Sequence, residues 1–474
     1  MSVAIHILLQ AALILRVLLR PYRDPASRIA WIVVILGLPI LGIVGYILLG
    51  ETNIGRRRIA RLHGVLAALP DPARPPGATE PAEGALPPRL LPLFRVATSI
   101  SGYAPLGGNA AALMADSDAA VDALVADIAH AERHVHVLFY IWLPDRNGAR
   151  VAAALCEAAA RGIACRAMVD DVGSRRLVRS QHWAAMEKAG VRLARALPVG
   201  NPFLRALIGR VDLRNHRKVA VVDGRIAYCG SQNCADPEFL IKARYAPWVD
   251  IMLRVEGPVA WQCQHLFASD WMTYGGDDIA SLLREKLPPS AGTIPAVVVA
   301  SGPTVRHSAM PEMFQSLMYG ARRELVVTTP YYVPDDSMQA ALCAAAYRGV
   351  ATTVVFPARN DNPAVAAASR SYYAELLDAG VRIFEFRPGL LHAKTVCVDG
   401  EAALIGSANM DRRSFDLNYE NNLLLADATT TRAIRHRQDA WIAQSREVLR
   451  EEVAAWPWPR RLWNNAAAVL GPVL

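Results

Sequence analysis

The amino-acid sequence predicts an α/β protein: two duplicated α/β/α sandwich domains related by pseudo-two-fold symmetry, behind an N-terminal transmembrane helical hairpin. Three observations carry that prediction. One order of apolar strands and Ala-rich helices runs twice along the chain. Each run contains the element His-x-Lys-x4-Asp-x6-Gly-Ser-x-Asn. The first 55 residues are dominated by two apolar stretches.

At the N-terminus, residues 29–49 (IAWIVVILGLPILGIVGYILL) form an uncharged apolar run. As a helix it is long enough for the roughly 30 Å hydrocarbon core, and Pro39 and the glycines are tolerated in such a setting. Residues 3–19 are a shorter candidate, carrying His6, Gln10 and Arg16; the arginine sits near the end, where it snorkels to headgroups. The expected anchor is therefore residues 1–55, turning at Pro21-Tyr22-Arg23-Asp24-Pro25. Basic residues lie on both sides of the second run (Arg20, Arg23, Arg28; Arg56, Arg57, Arg58, Arg61), so the positive-inside rule leans only slightly to a cytoplasmic body. Residues 56–107 follow as a basic juxtamembrane segment and a Pro-rich linker.

The duplicated body is expected over residues 108–286 and 287–474. In the first half a helical segment leads to the strand-like HVHVLFYI (134–141), Pro144-Asp145, a helix ending at Arg161-Gly162, the strand ACRAMVDDV (164–172), and Ala189-Gly190-Val191-Arg192. The second half repeats these steps as LVVTTPYYV (325–333), Pro334-Asp335, Arg348-Gly349, ATTVVFPA (351–358) and Ala379-Gly380-Val381-Arg382. Alternating strands and helices indicate a layered α/β body, and the near-constant offset indicates an internal duplication.

Composition agrees with a folded protein rather than a disordered tail: 53% of residues are hydrophobic and 20% charged. The net charge of +8 suits an anionic partner, whether nucleic acid, membrane surface or phosphate-bearing substrate. The seven cysteines form no CxxC pair and read as reduced, buried residues, which favours a catalytic body in the cytoplasm.

The first copy of the repeated element contains His216, Lys218, Asp223, Ser231 and Asn233; the second contains His392, Lys394, Asp399, Ser407 and Asn409. On an extended strand residues i and i+2 share a face, so each His and Lys would project together toward one phosphate. A phosphodiester needs a nucleophile, cations on its non-bridging oxygens and an acid for the leaving alkoxide. Two copies about a pseudo-two-fold axis supply all three, with the Gly-Ser-x-Asn residues Ser231, Asn233, Ser407 and Asn409 as further phosphate contacts. No HExxH, paired-cysteine or EF-hand pattern is present, so neither metal nor cofactor is expected.

This pattern resembles the paired motifs of the phospholipase D superfamily. Gly50-Glu51-Thr52-Asn53-Ile54-Gly55-Arg56-Arg57-Arg58, Phe139-Tyr140-Ile141-Trp142, the stretch 211–218 (VDLRNHRK) and Tyr331-Tyr332-Val333-Pro334 look like the two-span bacterial cardiolipin synthases, over nearly the whole chain. The resemblance implies two phospholipase D-like domains and a bacterial inner-membrane phosphatidyltransferase. It also implies phosphatidylglycerol as substrate and a phosphohistidine intermediate, with His216 as nucleophile and His392 as acid/base. The residues themselves do not distinguish these roles. By the same resemblance Asp250 and Glu420 orient the imidazoles, and Asp223 and Asp399 brace the motif. A phospholipase D-type hydrolase or another phosphatidyltransferase stays open as an alternative. A nuclease fits less well, since a bilayer anchor gives no access to nucleic acid. Two further segments have membrane-surface composition: residues 202–210 (PFLRALIGR) and residues 456–463 (WPWPRRLW).

Overall fold

The computed structural model describes residues 3–21, 25–77, 84, 86–200 and 209–469. Its contacts divide the chain into two compact units: residues 1–59 with 199–213, and residues 60–198 with 214–474. The turn at residues 22–24 and most of the apolar segment 202–210 lie outside the described residues.

In the smaller unit, a helix runs over Val3–Leu19. The second apolar run departs from the single expected helix: it forms Pro25–Gly37 and Pro39–Leu49, interrupted at Leu38 (φ −124°, ψ 76°). Pro39 has no N–H to donate, and its ring forces the preceding residue out of the α region. Among the described residues, no helix is long and apolar enough to cross a membrane. The helices share a small core of Val17, Ile35, Ile43 and Tyr46. Gly42 permits the close crossing, since a Cβ there would meet Val34 O at 2.2 Å. Arg16 and Arg20 converge on Glu51, with Arg20 Nη1 donating to Oε2 at 2.7 Å.

The larger unit is built on one 16-stranded sheet. In the first half, His134–Phe139, Ala164–Asp170 and Arg192–Ala196 pair in parallel, as expected for strands joined through helices. Lys218–Val222 joins antiparallel to the first of these, followed outward by Ile226–Gly230, Met252–Glu256 and Leu106–Leu113. The second half repeats the order: Glu324–Thr328, Ala351–Pro357 and Arg382–Phe386 in parallel, then Thr395–Val398, Ala402–Gly406, Asn418–Ala426 and Ile294–Ser301 antiparallel. The halves meet where Leu106–Leu113 pairs with Ile294–Ser301, so the sheet runs unbroken through both.

Helices cover both faces. Val259–Tyr274, almost wholly buried, joins Leu91–Ser101 and Ala309–Gly320 in a core that extends through both halves. Ser117–Ala129 and Arg146–Ala160 enclose a second core on the opposite face of the first half. The repeated punctuation has a local cause. Asp145 and Asp335 cap their helices by accepting from Gly148 N and Met338 N. Gly162 and Gly349 end them at φ 88° and 83°, where a side chain is strained. All seven cysteines are free, and all but Cys156 are buried.

Candidate active site

Two short strand pairings, separate from the main ladders of the sheet, assemble the site. Arg214–Asn215 runs parallel to Asn418–Tyr419, and Leu390–Leu391 runs parallel to Trp248–Val249. His216 N then donates to Tyr419 O at 2.9 Å, and His392 N to Val249 O at 2.8 Å. Each histidine therefore stands beside the residue that follows in the other half. His216 Nδ1 lies 2.9 Å from Glu420 Oε2, and His392 Nδ1 lies 2.6 Å from Asp250 Oδ1. The carboxylates are exchanged: each half orients the imidazole of the other. Arg217 reinforces the exchange, donating from Nε to Glu420 O while Nη1 pairs with the buried Asp270 at 2.7 Å.

Burial decides the protonation states. It is the largest influence on His216, whose pKa falls to about 4 with help from Lys218 and Lys394 and against the pull of Glu420. His392 shifts the same way for the same reason, opposed by Asp250. Burial pushes the two carboxyls upward. The histidines, lysines and serines around them outweigh it, so Asp250 and Glu420 stay below the usual carboxylate range. Anionic carboxylate and neutral imidazole make Nδ1 the donor, which leaves Nε2 with its lone pair.

The lysines are fully buried in the same place. Lys218 Nζ donates to His216 O at 2.6 Å and Lys394 Nζ to His392 O at 2.5 Å. Each cation thus folds back on its own histidine's backbone. Burial lowers Lys218 to about 7 and Lys394 to about 8. Both sit near neutrality, where an arriving anion holds them charged.

Two residues, Ser231 and Ser407, differ from their expected role as phosphate contacts. Ser231 Oγ donates to Asp250 at 2.6 Å and accepts from Ile251 N; Ser407 Oγ donates to Glu420 at 2.5 Å and accepts from Asn421 N. These hydroxyls are spent on the carboxylates and not on phosphate. Asp223 and Asp399 lie at the far ends of their strands, with positive φ of 53° and 56°. Asp223 accepts from the backbone N–H of Glu132, Arg133 and His134, and Asp399 from Arg322, Arg323 and Glu324. They brace the turn into the neighbouring strand, too far away to move a proton at the histidines. Asn233 uses Oδ1 for Ile141 N, which leaves its NH2 to donate. Asn409 Oδ1 is buried with no protein partner among the described residues.

The sequence around the site matches a known family. A family model described as "Cardiolipin synthase, PLD-like domain" covers residues 124–271 and 315–441, which enclose both histidines and both carboxylates. A second, "Phospholipase D-nuclease N-terminal", covers residues 8–51. Cardiolipin synthase A of Serratia proteamaculans is 37% identical over 98% of this chain and 96% of its own. The chain belongs to the cardiolipin synthase family. Cardiolipin synthase A of Edwardsiella ictaluri is 39% identical over 92% of this chain and 90% of its own. Among solved structures, phosphatidylserine synthase of Haemophilus influenzae superposes with a TM-score of 0.60 at 13% identity, over 81% of this chain and 100% of that one. At that identity the likeness is one of fold.

Sequence reasoning missed the aromatic walls. Tyr140 packs edge-on against His216 at 4.8 Å, with Lys218 Nζ 5.2 Å from its ring centre. Trp248 lies 4.8 Å from His392, backed by Phe239 at 3.9 Å. Tyr140 stood in the quoted run 139–142 and Trp248 two residues before Asp250. That i, i+2 spacing from a site carboxylate was the available signal. The halves differ here, for the counterparts of Tyr140 and Trp248 are Pro330 and Asn418.

Proposed function

We propose that this chain is a phosphatidyltransferase that converts two phosphatidylglycerol molecules into cardiolipin and glycerol. The observation that carries the reading is the pair of buried imidazoles, each on the other half's carboxylate, in a member of this family.

The two lysines and the Asn233 amide hold the phosphodiester, with Asn409 beside it. Empty, burial first and repulsion from the two lysines second keep His392 from becoming an imidazolium. The diester anion between Lys218 and Lys394 offsets that repulsion, so His392 takes up a proton at Nε2. His216 Nε2 then attacks phosphorus. The bond from phosphorus to the glycerol oxygen breaks, and that oxygen takes the His392 proton. In the second step His392 removes the proton from the primary hydroxyl of another phosphatidylglycerol. The alkoxide displaces His216 from phosphorus, giving cardiolipin and restoring the His216 imidazole, while His392 keeps the proton until the product anion leaves. Glu420 and Asp250 hold the rings and stabilise positive charge as it develops.

Residues 1–55 act as a two-span anchor in the bacterial inner membrane, and the catalytic body faces the cytoplasm. The match over residues 8–51 and the uncharged run 29–49 support the anchor, and the free, mostly buried cysteines support the cytoplasmic side. A proline break such as that at Pro39 is tolerated within a spanning segment. The exchange of carboxylates supports reading residues 108–286 and 287–474 as two domains that share one active site.

The deciding experiment supplies phosphatidylglycerol as the only lipid and follows glycerol and cardiolipin by mass spectrometry. Equal amounts of both are expected. Phosphatidic acid without cardiolipin would overturn the synthase reading. His216→Ala should abolish an acid-labile phosphoenzyme; its persistence there and loss in His392→Ala would reverse the two roles.

A further inference from the structure

The helix Trp458–Val469 is amphipathic in the wrong sense for a protein in water. Its inward positions are Asn464 and Ala467, while Trp458, Leu462, Ala466 and Val469 form a stripe on the opposite face, at helical spacing. Trp458 is 73% exposed, Leu462 60% and Val469 79%. Trp463 is exposed at one edge of the stripe and Arg461 at the other, while Arg460 falls on the inward side with Asn464 and Ala467, laid over the Trp456 ring at 3.9 Å. A surface helix normally buries its apolar face and wets its polar one. Here the small, polar side packs on the body and the large apolar side faces out.

The placement of this helix adds to the argument. It packs along Pro363–Ser371, and Ala467 shares a cluster with Val333, Val365 and Ala368, against which Tyr331 lies. Tyr331 Oη donates to Asp361 at 2.6 Å, and Asp361 also pairs with Lys242. Lys242 belongs to the segment Leu240–Tyr245, which directly precedes the Trp248–Val249 strand beside His392; Leu240 there is 70% exposed. The outward stripe and Leu240 are thus linked by one chain of packed residues along the border of the active site.

We propose that this face is a membrane-docking surface: the helix Trp458–Val469 lies in the headgroup layer of an anionic bilayer, with Trp458, Leu462 and Val469 inserted and Arg461 on a lipid phosphate. Tryptophan at the edge of an apolar stripe and arginine beside it suit the boundary between acyl chains and headgroups. The positive edge chooses an anionic lipid over a second copy of this chain, which would bring arginine against arginine. Docking here would present the active-site border to the layer that holds the lipid phosphodiester. The surface deepens the proposed function and rests on it for its purpose.

The test uses the full-length chain in vesicles, with Cys156→Ser and an environment-sensitive dye on Leu462→Cys or, as a control, on the exposed Lys188→Cys. In phosphatidylglycerol vesicles the dye at 462 should shift to the blue and be quenched by lipids brominated on the acyl chain; the dye at 188 should do neither. A dye at 462 that stays water-like would overturn the proposal. So would a shift that grows with protein concentration and appears equally in detergent, because a second copy would then be the occupant. This readout needs no turnover, so failure of cardiolipin synthesis with a positive dye signal would refute the proposed function and leave the surface standing. In the activity arm, Arg461→Gln should raise the phosphatidylglycerol fraction giving half-maximal rate about fivefold, from about 1 kcal/mol per arginine near an anionic surface. The maximal rate should stay within about twofold at saturating lipid. A fall in maximal rate without that shift would overturn the proposal.

Discussion

Replacing Glu420 by Gln removes one negative charge and almost no volume, from a residue that is fully buried. The carboxylate lies 2.9 Å from His216 Nδ1 and also accepts from Ser407 Oγ and Asn418 Nδ2. Two losses follow. The charge that stabilises His216 as it becomes positive disappears; at an effective dielectric near 20 and a charge separation of about 4 Å this is worth about 4 kcal/mol. The amide can also turn its NH2 toward Nδ1, which moves the ring proton to Nε2 and removes the attacking lone pair. In a comparable carboxylate–imidazole pair, an acid-to-amide change costs about 10⁴ in kcat for that reason. Glu420→Gln is therefore expected to lower kcat by about 10³ to 10⁴, with KM nearly unchanged because Glu420 does not reach the lipid. The assay measures cardiolipin formation from phosphatidylglycerol in mixed micelles, with a thermal melt to confirm folding and rapid quenching to measure phosphoenzyme. Asp250→Asn should fall comparably through His392. A well-folded Glu420→Gln enzyme within tenfold of the parent would refute the claim that the exchanged carboxylate sets the state of His216.

Other expectations follow from the same geometry. The rate should rise with pH as His216 loses its proton, from a pKa of about 4, and fall above neutrality as Lys218 and Lys394 do, from about 7 and 8 in the empty site. Lys218→Arg should carry the alkaline limb upward, and a flat profile from pH 5 to 10 would contradict the assignment. Asp223→Asn keeps a residue tolerant of positive φ but weakens the acceptor for three backbone N–H groups. It should lower unfolding stability by about 2–4 kcal/mol, seen in chemical denaturation, while activity per folded molecule persists. Ser407→Ala removes a hydrogen bond worth about 1.5–3 kcal/mol to Glu420 and should reduce kcat. Its effect should shrink in the Glu420→Gln background, since both act through one ring.

The sequence alone determined the duplication, the order of strands and helices, and the identity of both histidines and both lysines. These are local properties. Residue alternation places His and Lys on one face of an extended segment, aspartate and glycine mark helix ends, and an uncharged apolar run marks the segment proposed as the anchor. One local rule was given too little weight: Pro39 divides residues 29–49 at Leu38. The tertiary structure decided whatever depended on which segments become neighbours. The parallel pairings of residues 214–215 with 418–419, and of 390–391 with 248–249, join segments far apart in the chain. Their register alone sends Glu420 to His216 and Asp250 to His392. The same packing turns Ser231 and Ser407 toward carboxylates, leaves Asp223 and Asp399 at the far strand ends, and walls the site with Tyr140 and Trp248. Spacing within a strand states which way a side chain faces. What it meets there is fixed only when the second copy folds against the first, because each half supplies the charge that the other half's histidine requires.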